Sequence, residues 1–265
     1  MANNLKAVAV IPSRYGSTRF PGKALADIAG KTLIERVYTQ VSLAKSLSDV
    51  LVATDDKRIF DEVTRFGGKA VMTSDKHKSG TDRIAEALEN IECDIVVNVQ
   101  GDEPLIPPDL IDNLVALFDD DPELKVTSAA HLIDDWDTIY SPDAVKVILN
   151  DKSEAIYFSR SVIPNYANLE NLNKLVAEGL PFVSKNSPKG WQGYLKHIGI
   201  YVFRKEILLK YASMKPTPLE LIEKLEQLRL IENGIPIKII LTDYRPVAVD
   251  TPEDIPLVIK VLQNR

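Results

Sequence analysis

Arg14, Arg19 and Lys23 stand in one short loop, Ser13-Arg14-Tyr15-Gly16-Ser17-Thr18-Arg19-Phe20-Pro21-Gly22-Lys23, directly after the apolar run Val8-Ala9-Val10-Ile11. The run reads as a buried strand. The loop after it offers freed backbone N–H groups together with three cations. A polyphosphate needs that combination: donors for its oxygens and positive charge against its own. The competing reading is an ordinary strand-to-helix turn with solvated charges. A Walker A loop is excluded, because one extra residue separates Gly16 from Gly22 and Ala24 replaces the hydroxyl that would reach Mg2+. The G-x-G-x-x-G fingerprint of a dinucleotide site is also missing.

Two carboxylates complement the cations. Asp102 follows the apolar run Ile95-Val96-Val97 in the stretch Asn98-Val99-Gln100-Gly101-Asp102-Glu103-Pro104, and Asp250 ends the run Val247-Ala248-Val249. Carboxylates at two strand ends suit a hard cation such as Mg2+, which takes one or two of them plus phosphate oxygens and water. Alternatively each caps a helix, with Pro104 and Pro252 opening helical stretches. The histidines, His77, His131 and His197, are scattered and lack zinc spacing. No G-x-S-x-G nucleophile elbow occurs.

The elements that must position these residues alternate along the first half. Strands are expected over residues 6–11, 49–53, 70–72 and 94–99. Between them, apolar residues recur at helical spacing: Leu33, Ile34, Val37, Val41 and Ala44; Ile59, Val63 and Phe66; Ile84, Ala87, Leu88 and Ile91. Such βαβ alternation predicts an α/β fold with a mostly parallel sheet and helices on both faces. Ligands of such sheets bind beyond the carboxyl ends of the strands, where residues 13–23, the segment from Thr54 onward, and residues 73–83 and 100–104 lie. Residues 165–193 are polar and read as an excursion, either a dimer or substrate-lid segment or a plain surface insertion, with a short helix over 169–177. A strand over 198–203, a helix over 218–232 and a strand over 235–242 follow. Thr251 and Pro252 are placed to start a last helix. Residues 1–265 are expected to form a single domain.

Composition narrows the class. The chain has 265 residues, is 45% hydrophobic and carries a net charge of -6, which disfavours a nucleic-acid partner. The single cysteine, Cys93, adjoins an apolar run and reads as a packed thiol in a reducing compartment. No run approaches the ~18–20 apolar residues of a membrane span, and residues 1–6 lack a signal peptide's apolar core. A cytoplasmic protein without membrane insertion is expected.

Taken in order, these motifs resemble the 3-deoxy-manno-octulosonate (Kdo) cytidylyltransferases, or CMP-Kdo synthetases. The likeness covers nearly the whole chain. It rests on Ile11-Pro12-Ser13-Arg14 with Ser17-Thr18-Arg19-Phe20-Pro21-Gly22-Lys23, on Ala53-Thr54-Asp55-Asp56, and on His77-Lys78-Ser79-Gly80-Thr81-Asp82-Arg83. It continues through Val97-Asn98-Val99-Gln100-Gly101-Asp102-Glu103-Pro104, Tyr157-Phe158-Ser159-Arg160, His197-Ile198-Gly199-Ile200-Tyr201, Leu225-Glu226-Gln227-Leu228-Arg229 and Val249-Asp250-Thr251-Pro252-Glu253-Asp254. CMP-sialate synthetases share the chemistry but lack the S-T-R-x-P-G-K ending of the first loop.

The resemblance implies a nucleotide-diphospho-sugar transferase (Rossmann-like) fold, a homodimer and the reaction CTP + Kdo → CMP-Kdo + pyrophosphate, for lipopolysaccharide biosynthesis. It implies that Lys23, Asp102 and Asp250 are catalytic and that Asp102 and Asp250 carry Mg2+. Arg14, Ser17, Arg19 and Lys23, with Ser79, Gly80, Thr81, Asp82 and Arg83, would bind the nucleotide. Gln100, Arg160, His197, Tyr201 and Glu226 would hold the sugar. The residues alone leave other roles open for this last group. Arg160 offers a planar fork for a carboxylate but also suits a surface, and His197 and Tyr201 equally suit a core. Gln100 could tie down its own loop, and Glu226 could be a solvated charge or an i,i+3 partner of Arg229. The sugar is Kdo or its 8-amino analogue. A glycosyltransferase would need a D-x-D-type metal motif, which Asp55-Asp56 and Asp134-Asp135 supply poorly, and a nucleotide-binding regulator would need no paired carboxylates.

Overall fold

The computed structural model describes residues 5–16, 19–77, 79–165 and 193–264. Its elements begin with β1 (Ala7–Ser13), β2 (Asp27–Ile28), β3 (Lys31–Thr32), α1 (Leu33–Val41), β4 (Leu47–Thr54), α2 (Lys57–Arg65), β5 (Lys69–Met72), α3 (Gly80–Ala87) and β6 (Ile95–Asn98). They continue with α4 (Pro108–Asp120), β7 (Val126–Leu132), α5 (Trp136–Tyr140), β8 (Lys146–Leu149), β9 (Ala155–Ser159) and β10 (Leu195–Arg204). The last are α6 (Lys205–Ser213), α7 (Pro218–Glu223), α8 (Leu228–Glu232), β11 (Ile237–Leu241) and α9 (Ile255–Gln263). The chain forms two compact units, one of residues 1–127, 199–213 and 244–265, the other of residues 128–198 and 214–243.

The first unit holds strands in the order β10-β6-β1-β4-β5. β1 lies parallel to β4 and β6, β4 parallel to β5, and only β10 runs antiparallel. This is the mostly parallel mixed sheet expected of the βαβ pattern. Residues 7–11 of β1 are all fully buried. That happens only when both faces of a strand are covered, and it explains an apolar run with no alternation. The helices start where polar caps allow. Thr32 accepts from the Glu35 N–H at α1, Asp56 from the Arg58 N–H at α2, and Ser79 and Asp82 form a reciprocal capping box at α3. Each then buries the apolar stripe seen in the sequence, such as Leu33, Ile34, Val37 and Val41 on α1.

The second unit holds β11, most of β7, the first residues of β10 (195–198), β8 and β9, with β8 antiparallel to β9 and to the start of β10. Asn150 Oδ1 accepts the N–H groups of Lys152 and Glu154, both at 2.9 Å, which closes the β8–β9 turn. The helix expected over 218–232 is two helices. Lys224 adopts a left-handed conformation, φ 58°, ends α7, and leaves Glu226 exposed in the link before α8, between the buried Leu225 and Gln227. The break serves a buried ion pair. Arg229 grips Glu220 through both its Nε, at 2.8 Å, and its Nη2, each side chain only 9% exposed. Uncoupling such a pair strands a charge in the interior, so the link bends to keep it.

Cys93 is half-buried, and burial raises its thiol pKa. No helix among the described residues is long and apolar enough to cross a membrane. The excursion falls almost wholly on residues 166–192, outside the described residues, as does the helix expected over 169–177.

Candidate active site

The first loop closes on itself before reaching Lys23. Gly22 donates its N–H to the Tyr15 carbonyl at 2.9 Å and has φ 73°. A Cβ there would lie 3.1 Å from the Tyr15 ring, so space and conformation both call for glycine. Arg58 covers Tyr15, its guanidinium carbon 3.3 Å from the ring centre. Asp56 holds Arg58 in turn, at 2.9 and 2.6 Å. The Arg58 hydrogen bond keeps the Asp56 carboxyl below its ordinary pKa. The neighbouring Asp55 accepts from the buried Arg83 at 2.6 Å. Both acids of the Thr54-Asp55-Asp56 motif therefore brace the fold, and Asp135 caps α5. None of them makes a D-x-D metal site.

Lys23 opens a short 3-10 turn and its side chain is 17% exposed. Its Nζ lies 2.8 Å from Asp102 Oδ2 and 3.6 Å from Asp250 Oδ1. Arg19 reaches the same Asp250 oxygen at 2.9 Å. Arg14 is exposed just beyond β1. Ser17 lies outside the described residues.

Neither carboxylate caps a helix. Pro104 opens no helical stretch; α4 starts at Pro108, with Pro107 before it extended at φ -70°, ψ 130°. Asp102 instead sits in the turn after β6, where a Cβ on Gly101 would lie 3.1 Å from the Pro12 carbonyl. Its own carbonyl accepts the Val249 N–H at 2.9 Å, joining the two acid-bearing loops. Pro252 does open a short 3-10 turn (Pro252–Asp254), but Asp254 is its anchor: it accepts the N–H groups of Asp250 and Thr251, both at 2.8 Å. Those bonds, the Thr251 one foremost, lower the Asp254 pKa. The Thr-x-x-Asp spacing of a capping box was the available signal for this residue.

The pair fits Mg2+. A single ammonium group already touches both carboxylates, so one cation can serve both. No set of three or more His, Cys, Asp or Glu with metal geometry occurs among the described residues. Two carboxylates, with the remaining ligands from phosphate and water, match magnesium's habit and not that of an all-protein cage.

The 79–83 segment begins α3. Ser79 and Asp82 are tied into the capping box, Thr81 and Arg83 are buried, and a Cβ on Gly80 would lie 3.2 Å from Pro12. Gln100 donates to the buried Asn98 at 3.2 Å, and Tyr201 pairs opposite Asn98 in the β6–β10 register. These residues and the acid–cation cluster all belong to the first unit.

Arg160, His197 and Glu226 belong to the second. Arg160 donates from Nε to the Glu223 carbonyl at 3.1 Å and from Nη1 to the Pro142 carbonyl at 2.9 Å. His197 Nε2 lies 3.0 Å from Ser128 Oγ, with the ring edge-on to Phe158 at 5.0 Å. Part of its surface is open, yet burial among protein atoms pushes its pKa down to about 3. The ring is neutral at physiological pH, able to give one hydrogen bond and accept another.

That shift has a consequence for stability. Below pH 6.5 the unfolded chain takes up a proton that the folded chain refuses until about pH 3. The contribution is therefore complete above pH 6.5 and is lost as pH falls toward 3, at up to about 1.4 kcal/mol per pH unit. Urea titrations of the protein and of His197→Asn are expected to diverge in slope across this window. Parallel profiles would disprove the assignment.

The Cytidylyltransferase family model matches residues 8–239. The 3-deoxy-manno-octulosonate cytidylyltransferase of Geobacter metallireducens is 45% identical over 98% of this chain and 99% of its own. The protein of that name from Geotalea daltonii is 45% identical over 98% and 100%. Among solved structures, a CMP:2-keto-3-deoxy-manno-octonic acid synthetase complexed with CTP superposes with a TM-score of 0.86 at 40% identity, covering 98% of this chain and 99% of that one.

Proposed function

The chain belongs to the 3-deoxy-manno-octulosonate cytidylyltransferase family, and we propose that it makes CMP-Kdo and pyrophosphate from CTP and Kdo. The observation that carries the reading is Lys23, which stands at the end of a cationic loop with its Nζ against Asp102 and Asp250 at 2.8 and 3.6 Å. A phosphate-binding loop and a pair of cation-seeking carboxylates meet at one atom. A non-catalytic nucleotide binder has no need of the carboxylates.

Arg14, Arg19 and Lys23 hold the triphosphate, and the start of α3 contributes to nucleotide binding. Asp102 and Asp250 hold Mg2+. When bound, it offsets charge building on the phosphate oxygens. The anomeric oxygen of Kdo forms a bond to the α-phosphorus and releases its proton to solvent, while the bond to the β-phosphate oxygen breaks and pyrophosphate departs. Lys23 and Arg19, freed from their carboxylate partners, stabilise charge on the departing group. By the family resemblance, Gln100, Tyr201, Arg160, His197 and Glu226 serve the sugar. Arg160 takes the carboxylate, for which a planar guanidinium gives orientation as well as charge. Because that carboxylate is next to the attacking hydroxyl, fixing it also aims the nucleophile. The family resemblance further supports a cytoplasmic homodimer that supplies activated Kdo for lipopolysaccharide.

The test is pyrophosphate release from CTP, with Mg2+, on addition of Kdo, and with the 8-amino analogue in parallel. Kdo-dependent release with equimolar CMP-Kdo is expected. CTP binding without release on either sugar would leave only a nucleotide binder.

A further inference from the structure

Arg160 is held at four points, all within the second unit. Its N–H donates to Glu223 Oε2 at 3.0 Å, its Nε to the Glu223 carbonyl at 3.1 Å and its Nη1 to the Pro142 carbonyl at 2.9 Å. Its own carbonyl accepts from Lys146 Nζ at 2.6 Å. Lys146 is completely buried, and its other two N–H donors go to the carbonyls of Ser141, at 2.8 Å, and Ala144, at 2.6 Å. One ammonium thus fixes both the Arg160 backbone and the turn that presents the Pro142 carbonyl. Glu223 does the same from the other side. Its Oε1 accepts from Ser159 Oγ at 2.6 Å, tying the end of α7 to the end of β9 and placing the Glu223 carbonyl under the guanidinium.

A surface arginine gains little from such a frame. A fork that must meet a planar carboxylate gains a great deal, because a long side chain held in advance loses less freedom on binding. With Nε and Nη1 engaged, Nη2 has no partner among the described residues and the outer edge of the guanidinium is left for a ligand. We infer that Glu223 is a positioning residue: through the Arg160 backbone, and through its own carbonyl on Nε, it sets the guanidinium for the carboxylate of the acid sugar. The inference rests on the proposed role of Arg160.

The test is steady-state kinetics, varying CTP and Kdo separately, for Glu223→Ala, Glu223→Gln, Arg160→Lys and the double variant Glu223→Ala/Arg160→Lys. Glu223→Ala is expected to raise KM for Kdo about tenfold, the freedom of one long side chain regained, with KM for CTP unchanged. Gln can accept the Arg160 N–H and donate to Ser159 Oγ, so Glu223→Gln is expected to recover most of the loss. In the Arg160→Lys background Glu223→Ala is expected to add nothing. If Glu223→Ala does not fold, Glu223→Asp, one methylene shorter, replaces it with the same expectations. An impaired Arg160→Lys beside an unimpaired Glu223→Ala overturns the inference and leaves the proposed function standing. So do equal losses for CTP and Kdo, or a Gln variant no better than Ala. An unimpaired Arg160→Lys removes Arg160 from the sugar site, and the role of Glu223 with it.

Discussion

Asp102→Asn and Asp250→Asn are each expected to slow pyrophosphate release by about 10³-fold, or about 4 kcal/mol in the barrier, with the fold intact. The size follows from what the carboxylates hold. Phosphoryl transfer gives a protein little covalent work, so its rate rests on positioning and on neutralising charge. An amide keeps the shape of the side chain and removes the charge that retains a divalent cation. The fold survives for a separate reason. The ion pairs in which the two acids take part are partly solvated, with Asp102 27% and Asp250 43% exposed. Pairs of that kind contribute at most about 1 kcal/mol. Thermal unfolding midpoints are therefore expected to stay close to that of the unsubstituted protein while turnover collapses. Near-normal release by either variant at millimolar Mg2+ would remove that residue from the metal site.

Both carboxylates stand where local sequence could point, because each follows an apolar run: Asp102 comes after β6 and a glycine, while Asp250 directly follows Val247-Ala248-Val249, which forms no strand. The parallel strands and the apolar stripes of α1 to α3 were legible in the same way, because each depends on residues a few positions apart. What sequence did not reveal depends on partners far along the chain. The division between α7 and α8 turns on Lys224 and on the pairing of Arg229 with Glu220, whereas the apolar spacing over 218–232 suits one helix. The late start of α4 had a local signal, read two prolines too early. Pro108 forces the residue before it out of the helical region, so the helix cannot begin at Pro104 and waits for Pro108. The buried Lys146 was readable only as a lysine in an apolar run, and its three carbonyl partners include one just past the end of β9, at Arg160. Arg160 and His197 are the least legible for this reason: their geometry is set by Glu223, Pro142 and Ser128, none of which belongs to a motif.

Lys23→Ala is expected to lower kcat/KM for CTP roughly 10- to 150-fold, the loss of one charge-assisted contact of about 1.5–3 kcal/mol, while KM for Kdo stays the same. The structure makes this experiment more demanding than a simple removal of charge. Lys23 Nζ touches both Asp102 and Asp250, so a purely local role is available to it, as counter-ion to two acids that would otherwise repel each other. The two roles respond differently to magnesium. If Lys23 only quenches the acid pair, its loss leaves a more negative pocket that a divalent cation fills more readily, and raising Mg2+ restores activity. If Lys23 exchanges its carboxylates for the triphosphate when the metal and nucleotide arrive, no concentration of Mg2+ replaces it, because the missing contact is to phosphate. The second outcome is expected: a persistent defect confined to CTP, at saturating Mg2+, with Lys23→Arg restoring the charge but not the compact ammonium, and so only part of the activity. Full recovery of Lys23→Ala at high Mg2+ would show that the loop's last cation is a structural counter-ion, and the triphosphate would then have to be held by Arg14 and Arg19 alone.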